Sequence, residues 1–254
     1  MIERDRISTI IAWLIVLLFL GGWELMVRGL SLPEYLLPAP SRVFQVLFQN
    51  ISLYLESSLI TLSEALLGLL LGVTAGVVIA ALLSMQPRLE GGVMSLAILL
   101  KSTPLVAIAP LFTLWLGFGM LPKVLITGLM TFFPVLVNVL YGFQHPEAAL
   151  IDLFASWHTG KREMFLRLRL PTALPYLFSA LKISLPLALI GAVVAEWTGA
   201  SGGLGRTMWL AYTNLNLPFL FAAIFILAAS GVIAYRSLMW LESRVVFWQK
   251  PKID

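Results

Sequence analysis

The sequence predicts an all-α membrane protein of six transmembrane helices with both termini in the cytoplasm, and three observations carry that prediction. Hydrophobic residues make up 59 % of the chain and charged residues 12 %, with mean hydropathy +0.93, whereas a soluble domain is about a quarter charged. No soluble core of 254 residues hides that much apolar surface, so a bilayer is the solvent. The uncharged runs 7–23, 65–87, 91–122 (broken only by Lys101), 124–146, 183–195 and 207–235 supply the spans. All but one reach or approach the roughly 20 residues a crossing helix needs. The short run 183–195 becomes long enough if Lys182 snorkels and Glu196 sits at an interface.

Basic residues set the orientation. With the N-terminus inside, Arg4, Arg6, Arg88, Lys161, Arg162, Arg167, Arg169, Arg236, Arg244, Lys250 and Lys252 face the cytoplasm. Only Arg28, Arg42, Lys123 and Arg206 lie outside. Eleven against four fixes the topology and makes the basic knot at 161–169 a cytoplasmic loop.

The elements follow in order. Helix one is expected at about 7–27; it follows Arg4 and Arg6 as a signal peptide would, but ends in GGWELMVRG without a small-x-small cleavage site, and reads as retained. The proline-rich SLPEYLLPAPSRV leads into a partly amphipathic stretch up to Glu56, expected at the outer interface. Helix two, about 59–85, carries Gly68, Gly72 and Gly76 at intervals of four, a smooth stripe for close helix packing. Helix three, about 92–116, contains Pro104 and Pro110; helix four, about 123–143, contains Pro134; helix five, about 174–197, contains Pro186. Each interior proline removes a backbone hydrogen bond and bends its helix, which makes these four candidates for a path or gate. GASGGLGR then reads as a flexible outer loop before helix six, about 217–240. The whole chain, 1–254, reads as a single transmembrane domain.

Most chemistries find no residues here. Zero cysteines exclude thiolate nucleophiles and cysteine metal sites. His145 and His158 lack H-E-x-x-H spacing, no G-x-S-x-G elbow occurs, and no G-x-x-x-x-G-K-[ST] phosphate loop exists. No cofactor, metal, catalytic residue or nucleic-acid partner is expected. Intramembrane carboxylates are functional candidates by default. Glu24 and Glu64 read as structural, while Glu196, at the outer mouth of helix five, stays open between structure and lining a path.

The loop at about 144–172 carries Leu150, Ile151, Leu153, Phe154 and Trp157 at helical spacing, a break at Thr159-Gly160, and a second short basic helix that Pro171 ends. On its own this is an amphipathic pair resting on anionic headgroups, or a docking element. It resembles the cytoplasmic loop of permease subunits of ATP-binding-cassette importers, whose signature sets an E-A-A tripeptide, a glycine and L-P at fixed spacing. Glu147-Ala148-Ala149 spells the tripeptide but lies too far from Leu170-Pro171. Counted back from Pro171, the acidic position falls on Asp152, the alanines on Leu153 and Phe154, and the glycine on His158. The flanks PLVAIAPLFTLWLGFGMLPKVLITGLMTFFPVLVN and RLPTALPYLFSALKISLPLALIGAVVAEWTGASGGLG are similar to the branch importing nitrate, sulfonates, taurine and thiamine-pyrimidine precursors.

The resemblance spans roughly residues 10–250 and implies a type I ABC importer permease of the bacterial inner membrane. It implies docking of the loop, through Asp152, Leu153, Phe154, Trp157, His158, Gly160, Arg162 and Pro171, into a separate ATPase present in two copies. It further implies an extracytoplasmic binding protein that meets outer loops including 198–215, and a second, identical permease copy with the solute path between. The LKIS…IGAVVAEW pattern and Glu64 favour hydroxymethylpyrimidine or a related precursor, with sulfonate, taurine or nitrate next. An intramembrane enzyme using Glu196 or His145, or a scaffold without transport, are the rival classes.

Overall fold

The computed structural model describes residues 2–248; residues 249–254, with Lys250 and Lys252, and the side chains of Arg4 and Arg6 lie outside the described set. Every regular element among the described residues is helical. In chain order these are α1 (Ile2–Gly29), α2 (Pro40–Gln49), α3 (Ile51–Met85), a 3₁₀ turn (Pro87–Leu89), α4 (Glu90–Ser102), α5 (Leu105–Leu116), α6 (Met120–Gln144), α7 (Ala148–Ser156), α8 (Lys161–Met164), a π-helical stretch (Phe165–Arg169), α9 (Leu170–Trp197), α10 (Leu204–Thr213) and α11 (Leu217–Val245). Four described helices are long and apolar enough to cross a bilayer: Ile51–Met85, Met120–Gln144, Lys161–Trp197 and Leu217–Val245. The pair Pro87–Ser102 and Leu105–Leu116 qualifies only jointly, bent by 92°.

The chain forms two compact units. One comprises residues 1–57 and 207–226. In it Trp23 packs its ring on Phe221 and Phe225, and Phe225 stacks on Phe44 at 5.8 Å. Helix α2 opens on Pro40, which needs no donor at that position, and buries Val43, Val46 and Leu47. Glu24 closes its start. The carboxylate accepts the Ser41 N–H at 3.0 Å and hydroxyl at 2.7 Å, and Arg28 Nε at 2.6 Å, so an acid sits at the positive end of α2.

The second unit, 58–206 with 227–254, holds the main core. Here α3 and α6 run parallel at close range. Glu64 meets Lys123; a Cβ on Gly68 would collide with Thr127, one on Gly72 with Thr131 and Gly128, and one on Gly76 with Val135 at 2.8 Å. All four pairs share an offset of 59 residues, which one turn-by-turn register of parallel helices produces. Helix α9 runs antiparallel to both. Gly142 of α6 faces Ala173 and Tyr176, while Gly191 faces Thr127. The later part of α11 is antiparallel to α9, through Lys182 Nζ to Glu242 at 2.6 Å and Leu189 against Gly231. Lys182, expected to snorkel, is therefore ion-paired.

Several expectations are corrected. Helix three is two helices, because Pro104 drives Thr103 into an extended conformation (ψ 128) and closes α4 at Ser102. Pro110 lies inside α5, Pro134 inside α6 and Pro186 inside α9. Pro171 does not end the second short helix: the chain is helical from Lys161 to Trp197. The π-helical turn at Phe165–Arg169 comes just before the proline and shifts the hydrogen-bond ladder it would otherwise break. Helix α3 starts at Ile51, eight residues before the expected 59, absorbing the end of the amphipathic stretch. Lys123, counted among the outside basic residues at the start of helix four, is a buried member of α6.

Candidate functional site

The segment between α6 and α9 is a helical hairpin with an outward-facing tip. Helix α7 buries none of its residues, and Trp157 at its end is 64 % exposed, with Leu153 beside it at 43 %. Asp152 is exposed and Phe154 half-buried. The Phe154 and Trp157 rings lie 5.8 Å apart and tilted. His158 then takes φ 54, the left-handed region that favours glycine, and this is the position where the permease pattern places one. Thr159 folds back, its N–H and hydroxyl both donating to Phe154 O. Gly160 is extended and opens α8, which carries exposed Arg162.

Beyond the tip the hairpin is anchored. Phe165 packs on Phe143 at 5.1 Å and Leu168 is buried. Arg169 Nη1 donates to Ser84 O at the end of α3, and Gln144 Nε2 to Glu90 Oε2 at 2.7 Å. An exposed aromatic tip on a fixed base suits insertion into a groove on another protein. The chain order alone revealed the tip; the Arg169 tether was missed because its partner is a backbone carbonyl 85 residues away.

The second constellation lies at the other end of α9. Glu196 is only 1 % exposed. Its Oε1 accepts the Thr61 hydroxyl at 2.6 Å, and its Oε2 accepts the N–H groups of Gly205 and Arg206 at the start of α10. Thr61 Oγ1 in turn accepts Leu204 N–H at 2.8 Å. Gly203, at φ 105, leaves no room for a side chain against that carboxylate. GASGGLGR is thus not a free loop but a turn folded tightly round Glu196. The Glu64 carboxyl lies beside this carboxylate as well, and the three donors tie the start of α10 to α9 and α3. Thr61, Gly203 and Gly205 were not anticipated, although glycines spaced closely before a helix were a usable signal.

Glu64 and Lys123 form the third feature, at 2.7 Å with side chains 3 % and 8 % exposed. Pro104 caps the start of α5 and Pro110 lies within it, while Pro134 lies in α6 and Pro186 in α9, so the four prolines are spread over three helices. Among the described residues no three His, Cys, Asp or Glu side chains come together as metal ligands.

The chain as a whole is similar to known proteins. Residues 68–247 match the family described as the binding-protein-dependent transport system inner membrane component, and the chain belongs to that family. It is 36 % identical over 234 residues to a probable ABC transporter permease protein of Haemophilus influenzae, covering 92 % of this chain and 96 % of that one. It is 35 % identical over 240 residues to a formylaminopyrimidine transport permease protein of Halalkalibacterium halodurans, covering 94 % and 96 %. A putative aliphatic sulfonates transport permease protein of Bacillus subtilis is 32 % identical over 194 residues, 75 % of this chain and 69 % of its own. Among solved structures, a chain of a methionine ABC transporter in inward-facing conformations superposes with TM-score 0.57 at 17 % identity, covering 75 % of this chain and 98 % of that one. The protein is an ABC importer permease subunit with the type I fold, embedded in a membrane by several apolar helices.

Proposed function

We propose that this permease carries a small, polar, largely planar organic solute into the cytoplasm, with thiamine-pyrimidine precursors first and sulfonates, taurine or nitrate second. Support for the first choice is the formylaminopyrimidine permease, which matches nearly the whole chain at 35 % identity. The sulfonate reading draws on a relative of 32 % identity over a shorter stretch.

The observation that carries the importer mechanism is the 144–172 hairpin, whose Phe154–Trp157 tip stands clear while Arg169 and Phe165 fix its base. Docked in a cytoplasmic ATPase, it transmits nucleotide-driven closure to α6 and α9, a rigid-body switch between two states. Asp152, Leu153, His158, Gly160 and Arg162 set the shape and register of the tip, and Pro171 continues it into α9. ATP hydrolysis belongs to two copies of that partner, and the permease itself is no enzyme. An extracytoplasmic binding protein delivers solute to the side bearing α10. Two identical permease copies enclose the path, which the helices bearing Pro104, Pro110, Pro134 and Pro186 gate, and Glu196 holds the outer ends of α3 and α9 in register.

Six crossings and cytoplasmic termini fit the packing. Because α3 and α6 are parallel, the bent α4–α5 pair between them makes one return crossing, and α9 and α11 then alternate. The whole chain acts as one membrane domain of a bacterial inner membrane. The test is ATP-dependent uptake by the importer reconstituted with its ATPase and binding protein. Hydroxymethylpyrimidine should be accumulated, and uptake restricted to an alkanesulfonate or nitrate would reverse the ranking. Absence of any coupling between ATP hydrolysis and uptake, with catalysis by the chain alone, would favour the intramembrane enzyme.

A further inference from the structure

Lys101 stands where a charge is hard to keep. It is the penultimate residue of α4, and its ammonium lies 4.6 Å from the centre of the Phe133 ring. Both residues are eleven positions from the Glu90–Gln144 hydrogen bond that ties the inner ends of their helices, a rise of about 16 Å at 1.5 Å per residue. Phe133 is also ten positions from Lys123, so the pair sits near the middle of α6. Half the thickness of a hydrocarbon core of about 30 Å separates it from either interface, beyond the reach of a snorkelling lysine.

At that depth Lys101 is nevertheless exposed on the surface of the chain, and no ion pair involves it among the described residues. A cation–π contact covers one side of the ammonium only. The backbone beside it is also unusual for lipid. Thr103 is extended and its N–H still closes on Leu99 O and Leu100 O, but Pro104 offers no donor and α5 departs at 92°, so the carbonyls of Lys101 and Ser102 leave the helical ladder. Broken backbone at membrane depth is tolerated only against protein or a water-filled cavity, and an intramembrane charge faces the same two places. Helix-end electrostatics explain a lysine in the last turn of α4, but not its uncovered ammonium at mid-depth.

We propose that Lys101 is the polar contact a solute meets halfway along the path, donating hydrogen bonds to an acceptor on a neutral or anionic solute and rejecting cations. The assignment rests on the path between two permease copies set out above. Phe133 orients the ammonium, and the α4–α5 break lets the contact open and close with the bend. The acceptor is either the ring nitrogen or oxygen of a neutral heteroaromatic or the oxygen of an anion such as a sulfonate.

The chain contains no cysteine, so Lys101→Cys is a single reporter in the assembled importer in proteoliposomes. A membrane-impermeant anionic methanethiosulfonate should label it at least tenfold faster than Leu99→Cys in either the nucleotide-free or the ATP-bound state. Failure to label in both states places residue 101 in lipid or a sealed interface and overturns the proposal, whatever the solute. For uptake, hydroxymethylpyrimidine and ethanesulfonate are the probes. Lys101→Met should lower uptake at least tenfold while the ATPase co-purifies unchanged, and Lys101→Arg should retain it. Met removes an intramembrane charge without loss of volume, so misfolding does not mimic the effect. Lys101→Gln retaining uptake identifies a neutral acceptor; its failure beside a working Lys101→Arg identifies an anion. Uptake by Lys101→Met within twofold of wild type overturns the contact. Native mass spectrometry separates the two readings: two permease copies with unimpaired Lys101→Met leave the shared path standing, and a single copy overturns the path and the contact together.

Discussion

Lys123 Nζ lies 2.7 Å from Glu64 Oε1, deep between α6 and α3, and forms the first rung of the offset-59 register that continues through Gly68–Thr127, Gly72–Thr131 and Gly76–Val135. Charges inside a membrane protein stay where they are paired or face a water-filled cavity, and this one is buried and paired. Removing one partner leaves the other uncompensated, at a cost of about 3–5 kcal/mol in a buried site, whereas replacing both by apolar groups is close to neutral. Lys123→Met and Glu64→Leu should therefore each destabilise the detergent-solubilised protein, and the double variant should regain most of the loss. Thermal unfolding of the four proteins measures the cycle. Single variants as stable as the parent would show that the pair is dispensable.

The rungs below it predict a steric outcome. At Gly72 an added Cβ would approach Gly128 O to 2.6 Å as well as the Thr131 side chain. Backbone cannot yield there without parting the helices. Gly72→Val should abolish the folded fraction, since overpacking costs typically 1–3 kcal/mol even when a core can adjust. Gly21→Ala is the control, because nothing lies within 4 Å of its added Cβ; it should leave the elution profile in size-exclusion chromatography unchanged. Equal behaviour of the two variants would refute the close-packing account.

Around Glu196 the prediction concerns local order. Gly203→Ala adds a Cβ against the carboxylate at φ 105, a strained backbone for any residue with a side chain. Glu196→Gln places an amide N–H₂ toward donors and leaves one of them unmet, worth about 1–3 kcal/mol when buried. Both variants should raise amide hydrogen exchange through residues 198–213 while leaving that of α6 unchanged. Uniform protection in the two variants would mean that the turn holds α10 without the carboxylate.

How much of this was legible beforehand follows from the kind of interaction. Apolar runs revealed the long apolar helices among the described residues, because bilayer thickness acts on length and composition alone. Pro104 was visible as an interruption, yet the same residue type continues a helix at Pro110, Pro134 and Pro186. Whether a proline bends, ends or merely passes depends on its neighbours, here the extended Thr103. The exposed aromatic turn was readable since its aromatics recur at local spacing. Glu196 with Thr61, and Glu64 with Lys123, join positions 135 and 59 residues apart, and no local pattern encodes such pairings.

The tip itself makes the most decisive test. Phe154 and Trp157, 5.8 Å apart, form one tilted aromatic pair on an element that buries nothing of its own. Trp157 at 64 % exposure contributes little to folding, so truncation should spare the membrane protein. In a groove, aromatic anchors cost about 2 kcal/mol or more when cut to alanine, which weakens docking roughly thirtyfold at about 1.4 kcal/mol per decade. Phe154→Ala with Trp157→Ala should yield normal amounts of folded permease that lose the ATPase on purification and no longer support uptake. His158→Gly should dock as well as the parent, because φ 54 suits glycine at least as well as histidine, whereas β-branched His158→Val should fail. On a lipid-surface role for the hairpin, the double variant keeps its ATPase and only changes at Lys161, Arg162 or Arg167 matter. Undiminished co-purification of the double variant with the ATPase would therefore remove docking from these two aromatics and return the hairpin to the membrane surface.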